Sequence, residues 1–333
     1  MLKNEWIEKG YIDEPFNEGR DLKTAIRQLA KEKDAVILAH YYTTGDVQEV
    51  ADFIGDSLAL ARKAAETDAK MIVMCGVHFM AETCKLLSPE KTVLCPDLNA
   101  GCSLADSCKA EDLKRFKDEH PGYEVVSYVN TTAAVKALTD VVVTSGNAKK
   151  VIDSFPKDAK LIFGPDYNLG SYINSVTGRQ MLLWQGGCHV HERFSVDAIV
   201  KLKEQYPEAI VMAHLECKAP VLVLADVKGS TADMLKYAGS SEAKQFIVAT
   251  EAGILHELQR TCPDKEFIPV PPEFSMEEAT QHGSCHCNEC QYMKMNSLLK
   301  IYNAMKYEWP NVEVDAEIAK DAVKPIERML LLN

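Results

Sequence analysis

The chain has 333 residues, 47% of them hydrophobic, and a formal net charge of −12, which is enough apolar material for two or three domains. This acidic balance offers no basic footprint for a phosphate backbone, so no nucleic acid partner is expected. The start, MLKNEWIEKG, lacks an apolar signal segment, and the longest apolar runs fall short of the ~18 residues that span a bilayer, so we expect a cytoplasmic, metabolite-binding protein without a membrane partner.

Short apolar runs alternate with helical patterns along the chain, which is typical of buried parallel strands joined by crossover helices. The first strand-like runs are AVILAHYY at 35–42, MIVMCGV at 71–77 and TVLCPD at 92–97, and GDSLALARKAAE between the first two predicts a helix. The cycle recurs as EVVSYVN, VVVTSGN, LIFGPD and MLLWQGGC, and again as AIVMAHLEC, VLVLADVKGS, QFIVATEAG and EFIPVPP. The pattern predicts the α/β class.

Matching positions of the three sets share residue types as well as periodicity. HYYTT at 40 corresponds to YVNTT at 128, and AGC at 100–102 corresponds to GGC at 186–188. We predict three similar three-layer αβα domains with parallel sheets, arranged with pseudo-threefold symmetry around a central active site. The predicted units are 1–110 with N-terminal helices, 111–190, 191–287, and a C-terminal helical segment 288–333 that packs back on the first unit.

Polar residues stand at the predicted carboxyl ends of the strands, where open parallel sheets bind their ligands. These residues are His40 and Tyr42, Tyr128 and Asn130, and His214 and Glu216, with Ser57, Ser145 and Thr231 at or after the second strands. Each type also has an ordinary structural interpretation, as a buried histidine, a core tyrosine or a helix N-cap. Their recurrence at matching points of three units favours one shared cavity.

Eleven cysteines in a chain expected to be cytosolic favour metal binding or catalysis over disulfides. Cys102 and Cys188 each follow a glycine after the last strand of their units, and CHCNEC at 285–290 occupies the corresponding place in the third. One cysteine per unit gives three soft thiolates, which suit an iron–sulfur cluster and leave one of four irons open. We choose Cys290 because a helical pattern follows it, and a helix N-terminus favours a thiolate.

A zinc site remains an alternative for the same segment. Cys285, Cys287 and Cys290 lie close together in sequence, with His282 and His286 nearby, but the chain has no second CxxC to complete a paired site. The alternatives are therefore a zinc-stabilised metabolite-binding protein without turnover, and an iron–sulfur hydro-lyase that acts on another dicarboxylate.

A series of short motifs runs nearly from end to end of the chain: ILAHYY, GDSLALA, GVHFMAET, AGC, YVNTTAAVKA, VTSGN, FGPDYNLG, GGCHVH, HLEC, KGST, TEAGIL and CQYMKMN. In this order they resemble the quinolinate synthase family. The resemblance implies a transferase of NAD biosynthesis that condenses iminoaspartate (iminosuccinate) with dihydroxyacetone phosphate to give quinolinate, phosphate and water. It also implies a [4Fe-4S] cluster held by three cysteines, here Cys102, Cys188 and Cys290, with an open iron that acts as a Lewis acid.

The resemblance further implies residue roles. Tyr42 and Glu216 would be the proton-transfer pair, and His191, three residues after Cys188, would face the phosphate. Two departures are HLEC where the family often has HPEC, which should affect backbone stiffness alone, and the CHCNEC spacing, which gives no support for a redox role of Cys285 and Cys287. Functional coupling to an aspartate-oxidising enzyme is also implied. The implied substrate contacts are His40, Ser57, Tyr128, Asn130, Ser145, His191, His214, Glu216 and Thr231.

Overall fold

Three four-stranded parallel sheets frame the residues that the structure describes. The structure is a computed structural model, and it describes residues 2–17, 19–273 and 288–332. The strands are β1 Ala35–His40, β2 Phe53–Gly55, β3 Met71–Cys75, β4 Thr92–Leu94, β5 Glu124–Tyr128, β6 Val141–Val143, β7 Leu161–Gly164, β8 Leu182–Leu183, β9 Ile210–His214, β10 Val227–Gly229, β11 Gln245–Ala249 and β12 Glu266–Pro269.

Helices flank the sheets, and many begin at an aspartate or serine whose side chain caps the first turn, for example Asp56, Ser230 and Ser297. None of the described helices combines the length and hydrophobicity needed to cross a bilayer. The α-helices are α1 Asn4–Lys9, α2 Leu22–Glu32, α3 Gly45–Val50, α4 Ser57–Glu66, α5 His78–Leu87, α6 Ser103–Ser107, α7 Ala110–Glu119, α8 Ala133–Lys136, α9 Ala148–Ser154, α10 Tyr167–Thr177, α11 Val196–Gln205, α12 Ala219–Leu224, α13 Thr231–Ser240, α14 Ile254–Thr261, α15 Leu298–Tyr307 and α16 Ala316–Leu331, and 3₁₀ turns lie at His191–Arg193 and Met293–Met295.

The three sheets have the same strand order. They run β2-β1-β3-β4, β6-β5-β7-β8 and β10-β9-β11-β12, with every neighbouring pair parallel. This confirms the predicted α/β class with repeated parallel sheets. The C-terminal helices divide their contacts, since α15 packs against α2 beside the first sheet and α16 packs against α8 and β6 of the second. The pseudo-threefold arrangement and the domain limits at 110, 190 and 287 stay predictions.

Three local predictions differ from the structure. The run VLVLADVKGS contains a strand at Val227–Gly229 alone, because VLVL lies in α12, where Pro220 stands in the first turn and favours a helix start. No sequence range was predicted for the short strand Phe53–Gly55, which precedes Ser57, since three residues carry too little pattern. The helix expected directly after Cys290 is also wrong. A 3₁₀ turn comes first, and the α-helix begins at Leu298 after its cap, Ser297.

Each sheet carries the same aspartate clamp on its first strand. An aspartate 15 residues further along the chain accepts a hydrogen bond from a buried strand N–H through its carboxylate, while its own N–H donates to the carbonyl of that strand residue. The clamp fixes the chain where it returns to the sheet beside the first strand. The pairs are Asp52 with Ile37, Asp140 with Val125 and Asp226 with Val211, at 2.8, 2.7 and 2.8 Å from carboxylate oxygen to backbone nitrogen.

We expect Asp226→Ala to lower the free energy of unfolding by about 1–2 kcal/mol, because the buried N–H of Val211 loses a charged acceptor. Urea unfolding measures the change. Asp264→Ala is the control, since Asp264 forms an exposed ion pair with Lys244 that contributes little. Equal stability of the two variants would show that the clamp does not stabilise the sheet.

Candidate active site

A cavity that is partly open to solvent is lined by residues from the strand ends of all three sheets. The structure brings every predicted site residue to this cavity, although the roles assigned to them stay predictions. The residues that line it are His40, Tyr42, Ser57, Cys102, Tyr128, Asn130, Ser145, Cys188, His191, His214, Glu216, Thr231 and Cys290.

The histidines at the ends of β1 and β9 are held in the same way. The backbone N–H of Tyr42 donates to Nδ1 of His40 at 3.1 Å, and that of Glu216 lies 3.4 Å from Nδ1 of His214. Nδ1 is therefore the acceptor, and Nε2 carries the proton. Burial lowers the pKa of His40 to about 3 and that of His214 to about 4. Both rings are neutral at neutral pH, and each offers its Nε2–H as a hydrogen-bond donor. Nε2 of His214 lies 3.3 Å from Ser145 Oγ, which can accept this hydrogen bond.

Glu216 is buried at the centre of a polar cluster. Tyr128 donates its phenol proton to Oε1 at 2.5 Å, and Nδ1 of His191 lies 3.1 Å from Oε2. Burial raises the pKa of the Glu216 carboxyl, but the neighbouring His191 and His214 and the hydrogen bonds outweigh burial, so the pKa is lowered. Glu216 is therefore a carboxylate, an acceptor at neutral pH.

Thr250 is buried beside the cavity and completes a hydrogen-bonded chain in its wall. Its Oγ1 lies 2.7 Å from the phenol oxygen of Tyr42 and 2.9 Å from Nε2 of His191. Burial raises the pKa of Tyr42 and of Tyr128 well above the ordinary value, and Glu216 raises them further, so both phenols keep their protons. The Glu216 carboxylate can only accept, which sets the direction of the chain. Tyr42 donates to Thr250, Thr250 donates to Nε2 of His191, and Nδ1–H of His191 donates to Glu216.

The sequence did not single out Thr250, Glu251 or Lys294. Thr250 and Glu251 follow β11, and Lys294 follows Cys290 in the CQYMKMN motif. Glu251 lines the cavity and forms an ion pair with Lys294 at 2.9 Å. Polar residues follow β11 just as they follow β1, β5 and β9. The same rule, that ligands bind at the carboxyl ends of parallel strands, could therefore have identified Thr250 and Glu251.

The three predicted ligand cysteines line the same cavity. Burial raises the pKa of Cys102 to about 12 and that of Cys290 to about 11. Burial likewise raises the pKa of Cys188, with further contributions from Glu216 and the other two thiols. Without a bound cation the three thiols therefore keep their protons at neutral pH, and ionising all three would require a compensating charge such as a metal centre.

Each of these cysteines precedes a helical turn. The carbonyls of Cys102, Cys188 and Cys290 accept from the N–H four residues on, at 2.9, 3.0 and 3.2 Å. Backbone N–H groups also lower the thiol pKa, for instance those of Tyr292 and Met293 at Cys290. The predicted stabilisation of the Cys290 thiolate thus has a source in the 3₁₀ turn, although the long helix begins later.

A single metal ion would find a different candidate set of ligands here. Among the described residues, Cys188, His191 and Glu216 place one ligand atom each within 4.8 Å of the others. Nδ1 of His191 lies 3.1 Å from Oε2 of Glu216 and 3.2 Å from Sγ of Cys188. This set mixes nitrogen, oxygen and sulfur donors, whereas the all-thiol set matches the preference of iron–sulfur clusters for soft ligands. Cys285, Cys287, His282 and His286 lie outside the described residues.

The comparison with known proteins decides the family. A family model described as Quinolinate synthetase A protein matches residues 24–331. The chain belongs to the quinolinate synthase family. Similar proteins named quinolinate synthase include that of Synechocystis sp., 50% identical over 94% of this chain and 96% of the relative. Those of Nostoc punctiforme, 53% identical over 94% of each chain, and Chloroherpeton thalassium, 50% identical over 96% of this chain and 97% of the relative, are further examples.

Membership in the quinolinate synthase family confirms the prediction that was based on the series of short motifs. The matched region contains all three sheets and every residue of the cavity named above. The cavity is therefore our candidate active site for a quinolinate synthase.

Proposed function

We propose that this chain condenses iminoaspartate with dihydroxyacetone phosphate to give quinolinate, phosphate and water, with a [4Fe-4S] cluster as cofactor. The observation that carries the proposal is that Cys102, Cys188 and Cys290 line one cavity together with the Glu216 hydrogen-bond cluster, although each cysteine follows a different sheet. The curated relatives, similar over nearly the whole chain, are named quinolinate synthase.

Cys102, Cys188 and Cys290 would hold the cluster. When bound, the cluster supplies an iron without a protein ligand, a Lewis acid for a substrate oxygen. The protein contributes a largely apolar wall behind the sulfurs, since all three cysteines pack against the main hydrophobic core. That wall limits water around the centre and strengthens the electrostatic interactions inside the cavity.

The polar chain would move the protons of the reaction. Joining an amine to a carbonyl, forming a carbon–carbon bond and expelling phosphate and water each require proton transfer, and a positioned side chain contributes about 10²- to 10⁴-fold to such steps. Glu216 is the acceptor, and Tyr42 and Tyr128 are donors that keep their protons at neutral pH. Thr250 and His191 connect Tyr42 to Glu216.

The phosphate would bind where two ten-residue helices begin at the cavity. Ser57 is the first residue of α4 and Thr231 the first residue of α13, and both line the cavity together with Ser145. A helix N-terminus offers N–H donors and the positive end of the helix dipole, which favour an anion. His214 would add another donor near the phosphate, because its Nε2 lies 3.3 Å from Ser145 Oγ.

Asn130 supports the presence of a polar ligand. Its Oδ1 is buried, and no hydrogen-bond partner for this atom occurs among the described residues. An unsatisfied buried oxygen costs about 1–3 kcal/mol, and Asn130 lines the cavity. A substrate N–H or O–H group would satisfy it.

We expect Thr250→Val to lower kcat about 10- to 100-fold while the iron content stays that of the wild type. The change keeps the side-chain shape but removes the hydroxyl between Tyr42 and His191. Thr83→Val is the matched control, because Thr83 is equally buried and its hydroxyl donates to Phe79 O within a helix. Steady-state kinetics of both variants measure the effect, and equal kcat values would remove Thr250 from the chain of donors.

The proposed function is tested by product formation. Anaerobically purified protein is mixed with iminoaspartate and dihydroxyacetone phosphate, and quinolinate is measured by chromatography and mass spectrometry. We expect quinolinate when both substrates are present and none when either is omitted. Iron-loaded protein without product, or undiminished turnover after the iron has been removed with a chelator, would contradict the proposal.

The source of iminoaspartate also belongs to the proposal. This imine is an oxidised form of aspartate and hydrolyses readily, so an aspartate-oxidising enzyme would have to supply it. We propose a cytoplasmic location and functional coupling to such an enzyme.

A further inference from the structure

Glu251 joins the third sheet to a predicted cluster ligand. It follows β11 and is fully buried. Its Oε1 accepts the backbone N–H of Cys290 at 2.8 Å, and its Oε2 accepts the N–H of Gly253 at 2.6 Å. The carboxylate therefore fixes the backbone on which the Cys290 sulfur is carried.

Lys294 joins the same carboxylate to the first sheet. Its Nζ lies 2.9 Å from Oε1 of Glu251 and donates to the backbone carbonyl of Tyr42 at 2.7 Å. Tyr42 stands two residues beyond the end of β1, and its phenol faces the cavity at Thr250. The Glu251–Lys294 ion pair therefore contacts the backbone of Cys290, a predicted cluster ligand, and the backbone of Tyr42, a predicted proton donor.

The surrounding contacts leave this arrangement little freedom. The N–H of Ala252 donates to Asn288 O at 2.8 Å, and Gln48 Nε2 donates to Gly253 O at 3.1 Å. A Cβ at Gly253 would lie 2.8 Å from the backbone of Tyr42, so the loop after β11 packs directly on the segment after β1. A change in the ion pair should therefore displace the cavity rather than be absorbed by a loose loop.

We propose that Glu251 and Lys294 are positioning residues that hold Cys290 for the cluster and Tyr42 for proton transfer at the same time. This inference rests on the proposed function. A buried carboxylate needs a partner, because removing one member of a buried pair leaves an uncompensated charge. Groups that orient metal ligands typically change metal affinity or activity about 10- to 100-fold when they are replaced.

The test compares Lys294→Met with Lys85→Met. Both lysines are partly buried, form an ion pair and donate to a backbone carbonyl, but Lys85 pairs with Glu313 and donates to Lys91 O outside the cavity. Iron-loaded wild type and variants are mixed with a coloured iron chelator, and the rate of iron release is followed alongside kcat, KM and thermal unfolding. For Lys294→Met we expect iron release about 10-fold faster and kcat about 10- to 100-fold lower, with KM near the wild-type value. The melting temperature should fall below that of Lys85→Met, because the buried Glu251 charge loses its partner whereas Glu313 is exposed.

A second variant separates positioning from stability. Glu251→Gln keeps an oxygen for the Cys290 N–H but removes the charge that pairs with Lys294, so we expect faster iron release here as well. Iron release and kcat at the values of Lys85→Met in both Lys294→Met and Glu251→Gln would overturn the inference. Wild-type protein that binds no iron would instead contradict the proposed function itself.

Discussion

Replacing Cys102, Cys188 or Cys290 with alanine is expected to remove the iron from the protein and to abolish quinolinate formation. The three thiols face one cavity, and burial together with mutual repulsion makes their ionised forms dependent on a bound metal. With one ligand missing, only two of the three cysteines that we propose as ligands would remain to hold the proposed cluster. Iron and acid-labile sulfide per chain, measured after anaerobic purification, give the result directly.

Cys84→Ala is the control for this series. Cys84 is a buried cysteine on α5 that packs in the core and does not line the cavity. We expect it to keep its iron at some cost in stability, and we expect Cys285→Ala and Cys287→Ala to keep theirs. Full iron retention in Cys290→Ala would show that the third ligand has been assigned to the wrong residue.

Replacing Glu216 with glutamine is expected to lower kcat about 10²- to 10⁴-fold while leaving the cluster in place. Glutamine fills the same space, but it is neutral and presents an NH₂ group where the carboxylate accepts from Tyr128 and His191. The acceptor end of the donor chain is lost, whereas the three thiols are unchanged. Steady-state kinetics together with iron analysis separate the two effects.

Glu257→Gln is the matched control for Glu216→Gln. Glu257 is another buried glutamate, but it pairs with Arg260 on α14 and does not line the cavity. We expect it to alter stability and not kcat. If Glu216→Gln keeps wild-type turnover, the proton acceptor of the reaction lies elsewhere.

The sequence predicted the class of fold and most of the cavity because the strand signal is strong and repeated. A buried parallel strand ends in polar residues that all face one edge of the sheet, so His40, Tyr128 and His214 could be assigned to a site without coordinates. The apolar residues VLVL at 221–224 misled the strand prediction, since a short apolar run fits a buried helix equally well and Pro220 decides between them.

Contacts between distant segments could not be predicted in the same way. Thr250 gains its importance from Tyr42 and His191, and Glu251 gains its importance from Cys290 and Lys294. Nothing in the spacing of these residues indicates which sheet ends meet, because that depends on how the three sheets pack. The repeated motifs predict a shared site, and packing determines which side chains touch.

The metal content of the wild-type protein tests the central claim most directly. We predict that protein purified without oxygen is brown and holds about four iron and four sulfide per chain, the content of one cluster. Zinc in stoichiometric amount without iron, in protein that still forms quinolinate, would contradict the account.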